Sequence, residues 1–203
     1  MRVMWPVRLA LPVIMLLAAG PALAQEEERR GFLGLGIGPS APFGSFADAS
    51  PDNPRAGRAT PGYTDTFVNV GYRFGRRVGV AGAFSYSEYD MRDEEDDDWW
   101  QVAGLVIGPM YSHPLGARAA LDLKAMLGLL AMTPVVDSYT TADKTGSGLA
   151  LDMRAAARYD VFRRWAVFAE AGIQSAAVSF DTGVRKDYRA IISGFGIAFR
   201  PAW

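Results

Sequence analysis

The chain has 203 residues, a formal net charge of −1, one histidine and no cysteine. Without cysteine there is no disulfide scaffold and no zinc–thiolate site, and a near-neutral balance with no contiguous basic run argues against nucleic acid as a partner. Hydrophobic residues make up 50% of the chain although 21% is charged, so the pattern in which the two kinds alternate has to identify the class.

The first pattern is an export signal. Met1-Arg2 and Arg8 supply positive charge, residues 9–19 are apolar apart from the break at Pro12, and Gly20-Pro21 ends the run. Ala22-Leu23-Ala24 then presents small residues to a peptidase, which predicts a cleaved signal over residues 1–24 and a mature chain beginning at Gln25. The run falls short of the roughly 20 apolar residues that a spanning helix needs. Residues 25–203 suit one domain.

From residue 31 the period becomes two. Phe32, Gly34 and Gly36 alternate with Leu33, Leu35 and Ile37; Val68, Val70, Tyr72 and Phe74 alternate with Asn69, Gly71 and Arg73. After the short turn Gly75-Arg76-Arg77, Val78, Val80, Phe84 and Tyr86 share a face opposite Ala81, Ala83, Ser85 and Ser87, which completes a hairpin. Residues 99–111 form a further strand, and Ser112-His113-Pro114-Leu115-Gly116 a turn. In residues 117–131 the leucines at 121, 123, 127 and 129 oppose Arg118, Asp122 and Lys124. In 148–159 Leu149, Leu151, Met153 and Tyr159 oppose Asp152, Arg154 and Arg158. In 165–180 Val167 and Ile173 oppose Glu170 and Gln174, and in 188–203 Ile191, Phe195, Ile197 and Phe199 oppose Gly194, Gly196 and Ala198. Alanine in 117–131 and 148–159 favours helix. The charges there all fall on one parity of the numbering, however, which fits a period of two and not 3.6.

Eight strands result, with short links near 75, 114 and 162 and longer polar links at 40–62, 90–98, 134–147 and 181–186. This is the asymmetry of a membrane barrel with short periplasmic turns, longer external loops and both termini in the periplasm. The expected fold is all-β, an eight-stranded antiparallel transmembrane β-barrel in the outer membrane of a Gram-negative cell. Its aliphatic faces should meet lipid. Arg73, Arg118, Asp122, Lys124, Asp152, Arg154, Arg158 and Glu170 should face the interior, which eight strands leave just wide enough for side chains to fill. Paired, these charges make a plug, with Asp122 near Arg154 or Arg158 and either arginine near Glu170; unpaired and hydrated, they would line a channel. Two aromatic belts are expected, Tyr86, Tyr89, Trp99 and Trp100 at the outer rim and Tyr72, Phe74, Tyr111, Tyr159, Phe162, Trp165, Phe199 and Trp203 at the inner one. A soluble lipocalin-like barrel is the main rival; its faces would be reversed.

The hairpin GYRFGRRVGVAGAFSYSEYD resembles the repeating unit of the small outer-membrane β-barrel family, the OmpA/OmpX-like and porin-like proteins. GIGPSAPFGSFAD and LVIGPMYSHPLGARAALDLKAMLGL resemble outer membrane protein β-barrel domains. The resemblance spans the mature chain and is more specific for fold than for activity. It implies a C-terminal strand ending in an aromatic that the barrel-assembly machinery reads during insertion. Phe195, Ile197, Phe199 and Trp203 match it loosely, and Pro201 departs from it.

Candidate chemistry is sparse. Barrel enzymes acting on lipid A or peptides use a histidine beside a nucleophile or an activated water; His113 sits in a turn on the periplasmic rim, away from surface lipid A. The run Asp93-Glu94-Glu95-Asp96-Asp97-Asp98 lacks the spacing and glycine of a calcium loop and reads as a solvated external loop. Gly34, Gly36 and Gly38 precede no helix, so they are strand glycines and not a nucleotide loop. The loop 40–62 is rich in proline and glycine and is expected to be flexible and exposed. No catalytic, cofactor or metal site is expected, and the partners are outer-membrane lipids and lipopolysaccharide around a monomer. The function expected is structural or surface-interacting, with a narrow pore for small solutes as the alternative and a lipid-modifying enzyme behind it.

Overall fold

The computed structural model describes residues 30–92, 98–136, 139–140 and 145–201. The expected signal, most of the acidic run and Trp203 lie outside the described residues.

The strands are β1 (Gly31–Pro42), β2 (Gly62–Arg73), β3 (Val78–Asp90), β4 (Trp99–Pro114), β5 (Ala119–Val136), β6 (Tyr139–Thr140), β7 (Gly146–Phe162), β8 (Trp165–Ser179) and β9 (Arg185–Phe199). Successive long strands pair antiparallel, β5 with β7 past the short β6, and β1 pairs with β9, so the sheet closes on itself. The two-residue β6 pairs only with the end of β5, through Val135↔Thr140 and Val136↔Tyr139, and eight long strands make the ring. Closure satisfies every ladder without an edge, the condition for a sheet to cross hydrocarbon. Among the described residues no helix is long and apolar enough to cross a membrane.

Alternation sets the facing. Leu149 is 79% exposed, Phe195 68% and Leu105 65%, whereas Asn69, Asp152 and Gln174 are buried in the lumen. The leucine-rich face is therefore outside and the ionic face inside, which excludes the lipocalin-like alternative. Inside, glycine makes room for phenylalanine: a Cβ at Gly71 would meet the Phe32 ring, and one at Gly34 or Gly196 the Phe168 ring. Large opposite small is how a narrow lumen reaches interior packing density.

The strands run further than alternation alone marks. β2 begins at Gly62, β5 continues to Val136 and β7 begins at Gly146, all at the end carrying the long loops. About 9–11 residues cross the hydrocarbon. Past that depth the outer face need not be apolar, so the pattern fades while the ladder persists. At the other end β9 stops at Phe199, where Arg200 N–H still bonds the Arg164 carbonyl and Pro201 has no N–H to continue the ladder.

Two expectations fail at the outer mouth. Tyr89 and Trp100 are not belt residues but point inward and are buried. The loop after β1 is exposed only in part: Ser50, Pro51, Asp52, Pro54 and Arg55 are exposed, whereas Phe46, Ala56, Gly57 and Ala59 are buried. It contains a 3-10 helix, Gly44–Phe46, opened by Gly44 at φ 64, and it folds down into the barrel. The reason is Phe46, an apolar side chain that finds no lipid at this level and buries itself in the mouth.

Candidate functional site

The lumen is built in three zones. At its centre Glu170, on β8, accepts hydrogen bonds from Lys124 Nζ (2.9 Å), Arg154 Nη1 (2.8 Å) and Asn69 Nδ2 (3.0 Å). Lys124 also donates to Asn69 Oδ1 at 3.2 Å. Arg154 turns its Nε and Nη2 on Asp152 as a fork, at 2.7 and 2.6 Å. Gln174 Nε2 donates to Asp152 Oδ2 at 3.0 Å and lies 3.4 Å from Ser85 Oγ. Two cations face two carboxylates, so the cluster is neutral. Contributions from β2, β3, β5, β7 and β8 tie the barrel wall across its own interior.

Toward the termini, Arg158 pairs with Asp122 at 3.5 Å and stacks over the Phe32 ring, 5.3 Å from its centroid. Asp122 Oδ1 has no hydrogen-bond partner among the described residues. Arg200 pairs with Asp160 at the rim. Burial of charge is tolerated only when pairing and hydrogen bonding offset desolvation, and the central cluster meets that demand more fully than the Asp122 pair.

At the opposite end, Phe46 is 0% exposed. Its ring lies 5.3 Å from Tyr89, 5.0 Å from Tyr188 and 6.3 Å from Trp100, centroid to centroid. Below it the hydroxyls of Ser40, Tyr89 and Tyr188 form a chain, at 2.5 and 3.0 Å. Trp100 Nε1 donates to the Gly57 carbonyl at 2.7 Å, and Lys186 Nζ donates to the carbonyls of Ala56 and Pro54. Arg55 pairs with Asp187 at 3.1 Å. The loop is latched to β4 and β9.

Of the eight charges expected inside, Asp122, Lys124, Asp152, Arg154, Arg158 and Glu170 are there and buried. The pairs Asp122–Arg158 and Arg154–Glu170 form as the strand order suggests. Arg73 is half-buried at the end of β2. Arg118 is a correction: it is exposed in the turn before β5. It has lumen parity, but parity loses its meaning where the ladder has stopped. No period reports Arg200 or the aromatic plug, because both depend on where chain ends and loops go.

His113 is exposed at the end of β4 with its ring against Tyr111, while Ser112 is buried on the other face of the same strand. Sequence neighbours in a strand point apart, so these two cannot act on one atom. Asp98 is the one member of the acidic run among the described residues, and it bears no metal-binding cluster there.

No protein-family model matches the chain, and no curated protein matches it in sequence. Solved structures do match. Neisserial surface protein A superposes with a TM-score of 0.55 at 13% identity over 87% of this chain and 99% of that one. Ail, the attachment invasion locus protein of Yersinia pestis, gives a TM-score of 0.49 at 14% identity over 84% of this chain and 99% of its own. Ail is also seen in complex with the heparin analogue sucrose octasulfate, at a TM-score of 0.49 and 15% identity over 84% of this chain and 99% of that one. This chain has the fold of the small eight-stranded outer-membrane barrels.

Proposed function

We propose that the protein is a non-conducting, non-enzymatic barrel of the Gram-negative outer membrane that acts through the loops it holds outside the cell. The observation that carries this reading is the filled lumen. Glu170, Lys124, Arg154 and Asp152 close the centre, and Phe46 closes the mouth. A conducting eight-stranded barrel needs an open file of water past the central cluster, and side chains occupy that space. Against catalysis, Ser112 and His113 lie on opposite faces of β4.

Residues 1–24 serve as the export signal in this reading, and residues 25–203 are inserted as a monomer by the barrel-assembly machinery. Lipopolysaccharide and phospholipid surround the apolar wall. The fold similarity to Neisserial surface protein A supports the location. Planar bilayers test it: the purified barrel is expected to give no stable, large single-channel steps. Such steps would replace this function with that of a narrow pore for small solutes.

A further inference from the structure

We propose that the lipid-facing groove at the termini end of the barrel retains an anionic phospholipid from the periplasmic leaflet; this rests on the outer-membrane reading above. The groove has a volume of about 800 Å³ and crosses β7, β8, β9 and β1. Its floor is low because Ala157 and Ala169, register partners on the outer face, are small. Tyr159, Val167 and Phe195 form walls that stand out from the floor and are 49%, 45% and 68% exposed. A channel of that shape takes an acyl chain along its length, and burial of apolar surface rewards the fit.

The foot of the groove is cationic. The pairs Tyr159↔Val167, Asp160↔Ala166 and Phe162↔Trp165 lead its wall straight into the turn bearing Arg163 and Arg164. Leu115, which lines the groove, belongs to the neighbouring turn with Arg118. Arg118 and Arg163 are exposed and enter no ion pair among the described residues. The three turns at this end, residues 74–77, 115–118 and 163–164, hold Arg76, Arg77, Arg118, Arg163 and Arg164 and no carboxylate of their own, and the nearby Asp160 is taken up by Arg200. These arginines are scattered along the sequence and gathered only by the barrel. The exposed Phe74, Leu115 and Phe162 sit among them, a combination that anchors at the boundary between acyl chains and headgroups. Guanidinium groups match phosphate oxygens as a fork, and at an anionic surface each basic side chain is worth on the order of fivefold in binding. A phosphodiester headgroup with net negative charge is therefore favoured over a zwitterionic one, whose own ammonium competes for the phosphate.

Native mass spectrometry of the purified barrel in detergent, with equal phosphatidylglycerol and phosphatidylcholine added, tests the proposal. The wild type is expected to retain phosphatidylglycerol in preference by on the order of tenfold. Arg118→Ser with Arg163→Ser should bring the ratio near one. Ala157→Leu with Ala169→Leu should fill the groove and lower retention of both lipids at an unchanged ratio, and Arg76→Ser, on a turn away from the groove, should change neither. Heat-modifiable migration confirms that each variant is folded; if the alanine pair fails to fold, the arginine pair alone decides. Equal retention by the wild type, an unchanged ratio in the arginine pair, or a dimer cross-linked across the groove would overturn the proposal. A wild type that shows no heat-modifiable barrel in vesicles would instead overturn the outer-membrane reading beneath it.

Discussion

At mid-barrel, Glu170 is held by Lys124, Arg154 and Asn69, each from a different strand; at the mouth, Phe46 is held by Tyr89, Trp100 and Tyr188 but arrives on a loop. Both occupy the lumen. The first does so with charge and belongs to the wall itself, so it cannot leave without the barrel coming apart. The second does so with apolar surface on a segment outside the barrel's ladders, held by side-chain contacts and by backbone bonds at its ends (Phe43 N–H to the Arg189 carbonyl, Thr60 N–H to that of Asp90, Arg92 N–H to that of Arg58), so it can open while the barrel stays whole. Ionic closure is thus coupled to global stability and aromatic closure to a local equilibrium.

Glu170→Ala tests the first half of that contrast and should have the largest effect. It leaves Lys124 and Arg154 buried with one fewer anion between them, and removing one partner of a buried pair costs about 3–5 kcal/mol. Urea unfolding in lipid vesicles, followed by tryptophan fluorescence, should show the loss. The double replacement Lys124→Met with Glu170→Gln removes the unpaired charge and should recover much of it, since well-packed neutral groups often replace a buried ion pair at little cost. A single variant as stable as wild type would mean that the cluster is hydrated and the lumen open.

Phe46→Ala tests the other half. Burial of the ring is lost, and a buried phenylalanine truncated to alanine costs about 3 kcal/mol or more where the site cannot relax. Here the loop can detach, so the global unfolding midpoint should move less than in Glu170→Ala. Proteolysis within residues 47–61 should accelerate strongly. Trp100→Phe removes the hydrogen bond to the Gly57 carbonyl and part of the ring surface packed on Phe46 and Phe180, and should loosen the same loop by about 1 kcal/mol or somewhat more. Equal global destabilisation by Phe46→Ala and Glu170→Ala would erase the distinction between wall and plug.

The same contrast explains what could be read from the residues alone. Strand facing follows from a period of two, which puts Asp122, Lys124, Asp152, Arg154, Arg158 and Glu170 inside whatever the pairing of the strands. Antiparallel order then narrowed their partners, because adjacent strands bring 122 beside 156–158 and 154 beside 170–172. Phe46 gave no such signal. It lies in a proline- and glycine-rich stretch with no periodicity, and its burial depends on the width of the mouth and on Tyr89, Trp100 and Tyr188 meeting there from β3, β4 and β9. Arg118 failed in the opposite direction, because an extrapolated period carried it past the end of its strand. The rim arginines were invisible for a third reason: they are close in space only through turns distant in sequence.

The smallest effect expected is one of acidity, and it belongs to the loop alone. Asp48 accepts hydrogen bonds from Asn53 Nδ2 at 2.7 Å and from Ser50 N–H at 2.9 Å. The Asn53 amide first, then the Ser50 N–H, hold its carboxyl below the usual carboxylate range. A depressed folded-state value means the unfolded loop binds its proton more readily. The contribution is present above the unfolded value, near pH 4, and is lost as pH falls through the folded one. Proteolysis of residues 47–61 should therefore quicken modestly below about pH 4 while the barrel's heat-modifiable migration is unchanged. Asp48→Ala should flatten that acid limb and start from the faster rate. If the acid limb survives in Asp48→Ala, the sensitivity lies with other groups at the mouth, and the Asp48 turn is not what keeps the plug-bearing loop folded.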